Sequence, residues 1–190
     1  MLRRRLVPLL AAALFALVGA PIATAPQAAA AVSPHAVTTV YYDASQAPDL
    51  ADNITEAVQI WNDSVQNVRL VAGGPADVTI SEGYGGGSYT IPEGLGAGEV
   101  YLDLQQAQEY NPTRIVAHEL GHIYGLPDNY DGDCSILMSG HSAGTGCQTT
   151  HPSAGEAAQV DANFAGGFRA ARLPAVYQGC FDRSPARQRA

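Results

Sequence analysis

The chain has no lysine: its ten basic residues are all arginines, set against 18 acidic residues for a net charge of −8. That balance argues against a nucleic-acid surface, which needs clustered cations to meet phosphates. Cysteine is scarce, three in 190 residues, so one intrachain pair is the most that can form. Beyond residue 18 no apolar run is long enough to span a membrane. Glycines are plentiful in the stretch 82–98, yet neither a lysine nor a helix start follows them, so this is no phosphate-binding loop.

The few cations are unevenly placed. Arg3, Arg4 and Arg5 open the chain, and Arg69 and Arg114 alone stand among 17 acidic residues between positions 32 and 167. Residues 168–190 then carry five arginines and one acid, Asp182. The first three arginines precede an apolar stretch at 6–18 and Ala-x-Ala sites ending at Ala30 or Ala31. This is the pattern of a secretory signal peptide over residues 1–31. The expected organisation continues with a short N-terminal or pro segment at 32–36, one domain at 37–167 and a flexible basic tail at 168–190. One core can be filled at this length. The mature protein is expected to be extracellular, monomeric and off the membrane. In an oxidising compartment Cys134 and Cys147 are the natural disulfide pair. Cys180 is left over in the tail, and nothing around it builds a Cys–His site. For the tail itself the alternatives are a disordered extension, removal after secretion, or docking of its arginines on the acidic body.

Local patterns give an α+β architecture. Residues 37–42 are β-branched and aromatic, as in a strand. Leu50, Ile54, Val58, Trp61 and Val65 then mark one apolar face of a helix over 48–66. Short strands are predicted at 68–72 and 76–81, an edge strand at 88–91 and a further strand at 99–104. Asn111 as N-cap and Pro112 at the first helical position open a helix through Tyr124, with Gly125 placed to end it and Pro127 to prevent its resumption. Ser153 and Glu156 form a capping box for a closing helix.

The second of those helices carries His118-Glu119-Leu120-Gly121-His122. Histidines at i and i+4 share one helix face, so both imidazoles can reach a single metal ion. Glu119 is placed to act as general base on a metal-bound water. Three residues after His122 comes Gly125, and three after that Asp128, giving HELGHIYGLPD. The glycine permits a sharp turn that returns Asp128 as a third ligand, leaving a fourth position open. Tyr130, two residues further, is a candidate for oxyanion or loop support. Asp131, Asp133, His141 and His151 are read as loop residues outside the site.

HExxHxxGxxD resembles the metzincin zinc proteases in the variant with aspartate as third ligand. The strings AHELGHIYGLPDNY and CSILMSG resemble the snapalysin, or small neutral protease, family. The likeness covers about residues 37–167 and not the tail. It implies a small metzincin-like zincin domain with a twisted mixed β-sheet, an active-site helix and a C-terminal helix. It also implies one catalytic Zn2+ on His118, His122 and Asp128, Glu119 as the catalytic base, and Met138 as the methionine of the turn beneath the metal. A secreted endopeptidase acting on proteins or peptides follows, with an aromatic residue preferred just after the cleaved bond. Ca2+ at positions matching Asn111 and Thr113 is a further implication, though asparagine replaces the family's aspartate there and helix capping is its alternative role. As in metzincins, an edge strand should receive substrate, and residues 99–104 are expected to be that edge. The competing reading is an inactive metzincin-like module that binds peptide or glycan, against which the intact Glu119 counts.

Overall fold

A computed structural model describes residues 36–165 together with Tyr177, Gln178 and Phe181. The expected signal peptide, residues 32–35, Cys180 and the tail arginines lie outside the described residues. In chain order the elements are β1 (Thr38–Gln46), α1 (Ala51–Ser64), β2 (Val68–Ala72), β3 (Val78–Gly83), β4 (Tyr89–Gly94) and β5 (Ala97–Asp103). They continue with α2 (Leu104–Glu109), α3 (Pro112–Ile123), a 3-10 segment (Leu137–Ala143), α4 (Ala154–Phe164) and β6 (Tyr177–Gln178). Helices pack on one mixed sheet, the α+β class expected from the sequence.

The sheet order is β2-β1-β3-β5-β4-β6. Pairing is parallel from β2 through β1 and β3 to β5, whereas β4 runs antiparallel to both β5 and β6. Side chains alternate across a strand, so one face buries Val68, Leu70, Val78, Ile80, Val100 and Leu102. The apolar stripe of α1 meets that face through Ile54, Ala57, Val58 and Trp61. Trp61 is fully buried, and its Nε1–H donates to the Ala117 carbonyl at 2.8 Å, tying α1 to α3.

The expected edge requires a correction. Residues 99–104 fall largely in β5, which is paired on both sides, with β3 and with β4. Its backbone groups are therefore committed to neighbours. Of the domain's strands it is β4, at the position of the weaker sequence signal near 88–91, that lies next to α3 and beyond β5. Two elements had no counterpart in the sequence reading. Helix α2 starts where Asp103 accepts from Gln105 N at 2.8 Å, and the same carboxylate accepts from Gly85 N and Gly87 N, holding the Gly-rich loop. The other is β6.

Helix α3 begins and ends as its sequence dictates. Asn111 Oδ1 accepts from Arg114 N at 3.1 Å, Pro112 is the first helical residue, and Gly125 has φ of 82° in the left-handed region. In α4 the capping box of Ser153 and Glu156 is complete. Among the described residues no helix is long and apolar enough to cross a membrane.

Cys134 and Cys147 are joined, with Cα atoms 5.6 Å apart, so the loop containing Met138 is closed covalently. Replacing both by serine is expected to lower stability by about 3 kcal/mol, the chain entropy of a loop of this size. Urea unfolding of the two proteins measures it; equal midpoints would contradict the expectation.

Candidate metal centre

Burial on α3 fixes the starting point: His118, Glu119 and His122 are all fully buried. Each histidine is oriented by its own carbonyl. His118 Nδ1 lies 3.0 Å from Leu137 O, and His122 Nδ1 lies 2.8 Å from Leu126 O. A carbonyl can only accept, so Nδ1 carries the proton in both rings and Nε2 presents the lone pair. The two Nε2 atoms are 3.1 Å apart, and Asp128 Oδ1 stands 3.1 Å from one and 3.4 Å from the other. Lone pairs and a carboxylate at such distances repel unless a cation sits among them.

The turn at Gly125 makes this convergence possible. Gly125 N donates to His122 O and Leu126 N to Gly121 O, which closes α3 and swings the chain back. Among the described residues, His118, His122 and Asp128 form the one group of His, Cys, Asp or Glu that could hold a metal. Two imidazoles and a carboxylate are a fitting donor set for zinc. Without a cation the crowding shows in the electrostatics. Burial favours neutral His118, yet the nearby carboxylates of Asp128 and Glu119 prevail and raise its pKa, drawing a proton to the place a metal ion would take. Burial likewise disfavours charge on Asp128, but the adjacent imidazoles of His118 and His122 outweigh it and hold the carboxyl well below the usual range.

Glu119 faces the same space. Its Oε2 accepts from Thr90 Oγ1–H at 2.8 Å, and its Oε1 is buried without a hydrogen-bond partner. Burial pushes its pKa up, against the opposing pull of both histidines. Thr90 was not singled out in the sequence; as a lone threonine in β4, 29 residues from Glu119, it gave no spacing signal.

A floor lies under the helix. Met138 is buried, and a Cβ added to Gly121 would come within 2.6 Å of its Sδ, so α3 and the 3-10 segment touch where only glycine fits. Arg114, fully buried, holds the floor. Its Nη1 donates to Thr149 O, and its Nη2 to Ile136 O, Leu137 O and Ser139 Oγ. Glu156 holds it from the opposite side, accepting from Leu137 N and Met138 N. Sequence reasoning gave Glu156 a cap and gave Arg114 nothing.

The remaining candidates have contacts of their own. Tyr130 is partly exposed, with its ring 5.0 Å from that of His141. Asp131 and Asp133 accept from nearby backbone amides of their own loop. Two tail residues arrive unforeseen: Tyr177 stacks on His122 and Phe181 packs edge-on against His118.

Two histidines and a glutamate buried on one helix, with an aspartate returned beside them, are a donor set of the kind found in zinc peptidases. A profile of the Streptomyces extracellular neutral proteinase family matches residues 36–167, and the chain belongs to that family. It is thus an extracellular neutral protease dependent on zinc. The extracellular small neutral protease of Streptomyces caespitosus is 50% identical over 130 residues, covering 68% of this chain and 98% of that protein. Those of Streptomyces sp. strain C5 and Streptomyces lividans are 48% and 46% identical over 72% and 77% of this chain. The matches span 60% and 63% of those two longer relatives. High choriolytic enzyme 1, a hatching enzyme zinc-protease from the medaka fish Oryzias latipes, aligns at TM-score 0.38 and 20% identity over 48% of this chain and 46% of that one.

Proposed function

We propose that the chain hydrolyses peptide bonds of extracellular proteins, with His118, His122 and Asp128 holding one zinc ion and Glu119 as general base. The observation that carries this is the buried, partnerless Oε1 of Glu119 on the same helix as two histidines whose Nε2 atoms converge on Asp128. When bound, zinc supplies Lewis acidity, lowering the pKa of a neighbouring water and polarising a carbonyl. The protein's own groups do the rest. Glu119 Oε1 draws the proton from the attacking water and returns it to the leaving amine. Thr90 Oγ1–H, bonded to Oε2, keeps the carboxylate turned so that Oε1 faces the reaction. The carbonyls of Leu137 and Leu126 hold the imidazoles in one tautomer. Met138 forms the floor beneath, and Tyr130, packed on His141, supports the Asp128 loop.

Substrate enters as an extended strand along β4, the strand that carries Thr90. Residues 1–31 act as the export signal, and 37–167 form one monomeric catalytic domain. Calcium has no part in this reading. Asn111 caps α3 and donates through Nδ2 to Gln148 Oε1, while Thr113 Oγ1 donates to Glu56 and accepts from Asn53. The binding-module alternative leaves a buried carboxylate without a task.

The test is metal removal. Casein clearing by the secreted protein should vanish with a zinc chelator and return when zinc is restored. Clearing that persists in a protein shown to contain no zinc would overturn the reading.

A further inference from the structure

The tail has an address on the site. Resting on the peptidase reading above, we propose that the C-terminal tail is an intramolecular competitor of substrate, docked on the edge of β4 and over the metal-binding histidines. Tail residues Tyr177 and Gln178 form β6, antiparallel to β4, with Thr90 opposite Tyr177 and Tyr89 opposite Gln178. This is strand addition, the way an extended peptide joins an exposed sheet edge. The register puts Tyr177 opposite the residue whose hydroxyl holds Glu119.

The side chains complete the cover. The Tyr177 ring lies 3.8 Å from that of His122 with an 8° interplanar angle. Phe181 meets His118 edge-on at 5.1 Å and Tyr110 at 5.2 Å. Both tail aromatics are nearly fully buried. Tyr177 covers the ring face of His122, whereas its Nε2, the atom that would hold zinc, is turned to His118 and Asp128. Tail and substrate, however, need the same strand edge. The segment also lies beyond residues 36–167, outside the part matched by the family profile.

Tethering makes a weak plug effective. A segment tethered in the same chain has a local concentration on the order of millimolar, so a tail of roughly 0.1 mM affinity raises the apparent KM about tenfold and leaves kcat unchanged.

The experiment uses the full zinc-loaded chain. A trypsin-like protease finds Arg169 and Arg172 before the docked segment, and no lysine elsewhere. After brief digestion and quenching, with tail loss confirmed by mass, KM for a peptide free of arginine and lysine should fall about tenfold at constant kcat. A synthetic peptide of residues 168–190 should then inhibit competitively, and the same peptide with Tyr177→Ala and Phe181→Ala should not. Unchanged KM after tail loss, or no competition by millimolar peptide, would overturn the proposal. Hydrogen exchange at the amides of β4 gives a readout independent of catalysis. Faster exchange after tail loss supports docking even where no peptide is cut, so failure of the peptidase reading is told apart from failure of the plug. Unchanged exchange refutes the plug outright.

Discussion

Glu119→Gln is expected to lower kcat by about 10²–10⁴-fold while zinc stoichiometry stays at the wild-type level. Glutamine keeps the shape and can still accept from Thr90 Oγ1, but it cannot take a proton from water. The proposed ligands His118, His122 and Asp128 are untouched, so metal content separates loss of the proposed base from loss of the site. Stability is a second control. Burial already disfavours charge on Glu119, as its raised pKa records. A neutral isostere removes that penalty, so the melting temperature should hold or rise. Peptide kinetics and metal analysis on the purified variant are sufficient, and wild-type kcat would remove Glu119 from the mechanism.

Arg114→Met is expected to cost about 3–5 kcal/mol of stability, because several buried acceptors lose a charged donor together and each one left unsatisfied costs about 1–3 kcal/mol. Methionine fills much of the volume but donates nothing. The carbonyls of Thr149, Ile136 and Leu137 would lose their guanidinium bonds inside the protein. Leu137 O is also the partner of His118 Nδ1, so slack in the floor reaches a proposed zinc ligand. Weaker zinc retention, by about 10–100-fold, should accompany the loss, as for other disrupted outer partners of metal ligands. Arg114→Lys should rescue little, because a single ammonium cannot span a planar fork of acceptors. Denaturant titration and zinc affinity measure the two effects; wild-type values for both would show that the cage is dispensable.

The convergence of His118, His122 and Asp128 was legible because its parts are close in sequence. Two histidines, a glutamate, a turn glycine and an aspartate fit within eleven residues, and helical periodicity alone brings the first three together. The caps of α3 and α4 were legible for the same local reason. The edge strand was not. Nothing local says that β5 lies between two strands of the domain, or that β4 meets β5 on one side and only the two-residue β6 of the tail on the other. The weaker signal of β4 came from its glycine-rich surroundings, so its importance was read inversely. Arg114 and Thr90 act through partners distant in sequence, and a lone arginine or threonine has no spacing to announce them. β6 is two residues long, too short for any periodicity, and only its partner strand reveals it.

The contact between Gly121 and Met138 bears on chemical durability outside the cell. Met138 is the one methionine of the sequence beyond Met1. It is buried, and an oxidant reaches it only when the floor beneath α3 opens. The spacing that bars a methyl group on Gly121 also has no room for a sulfoxide oxygen on that side. Oxidation there would jam the return of the 3-10 segment to its seat, so brief loosening in an oxidising medium becomes permanent inactivation. The arginine, the glutamate and the disulfide that hold this floor shut therefore also set how long the enzyme lasts.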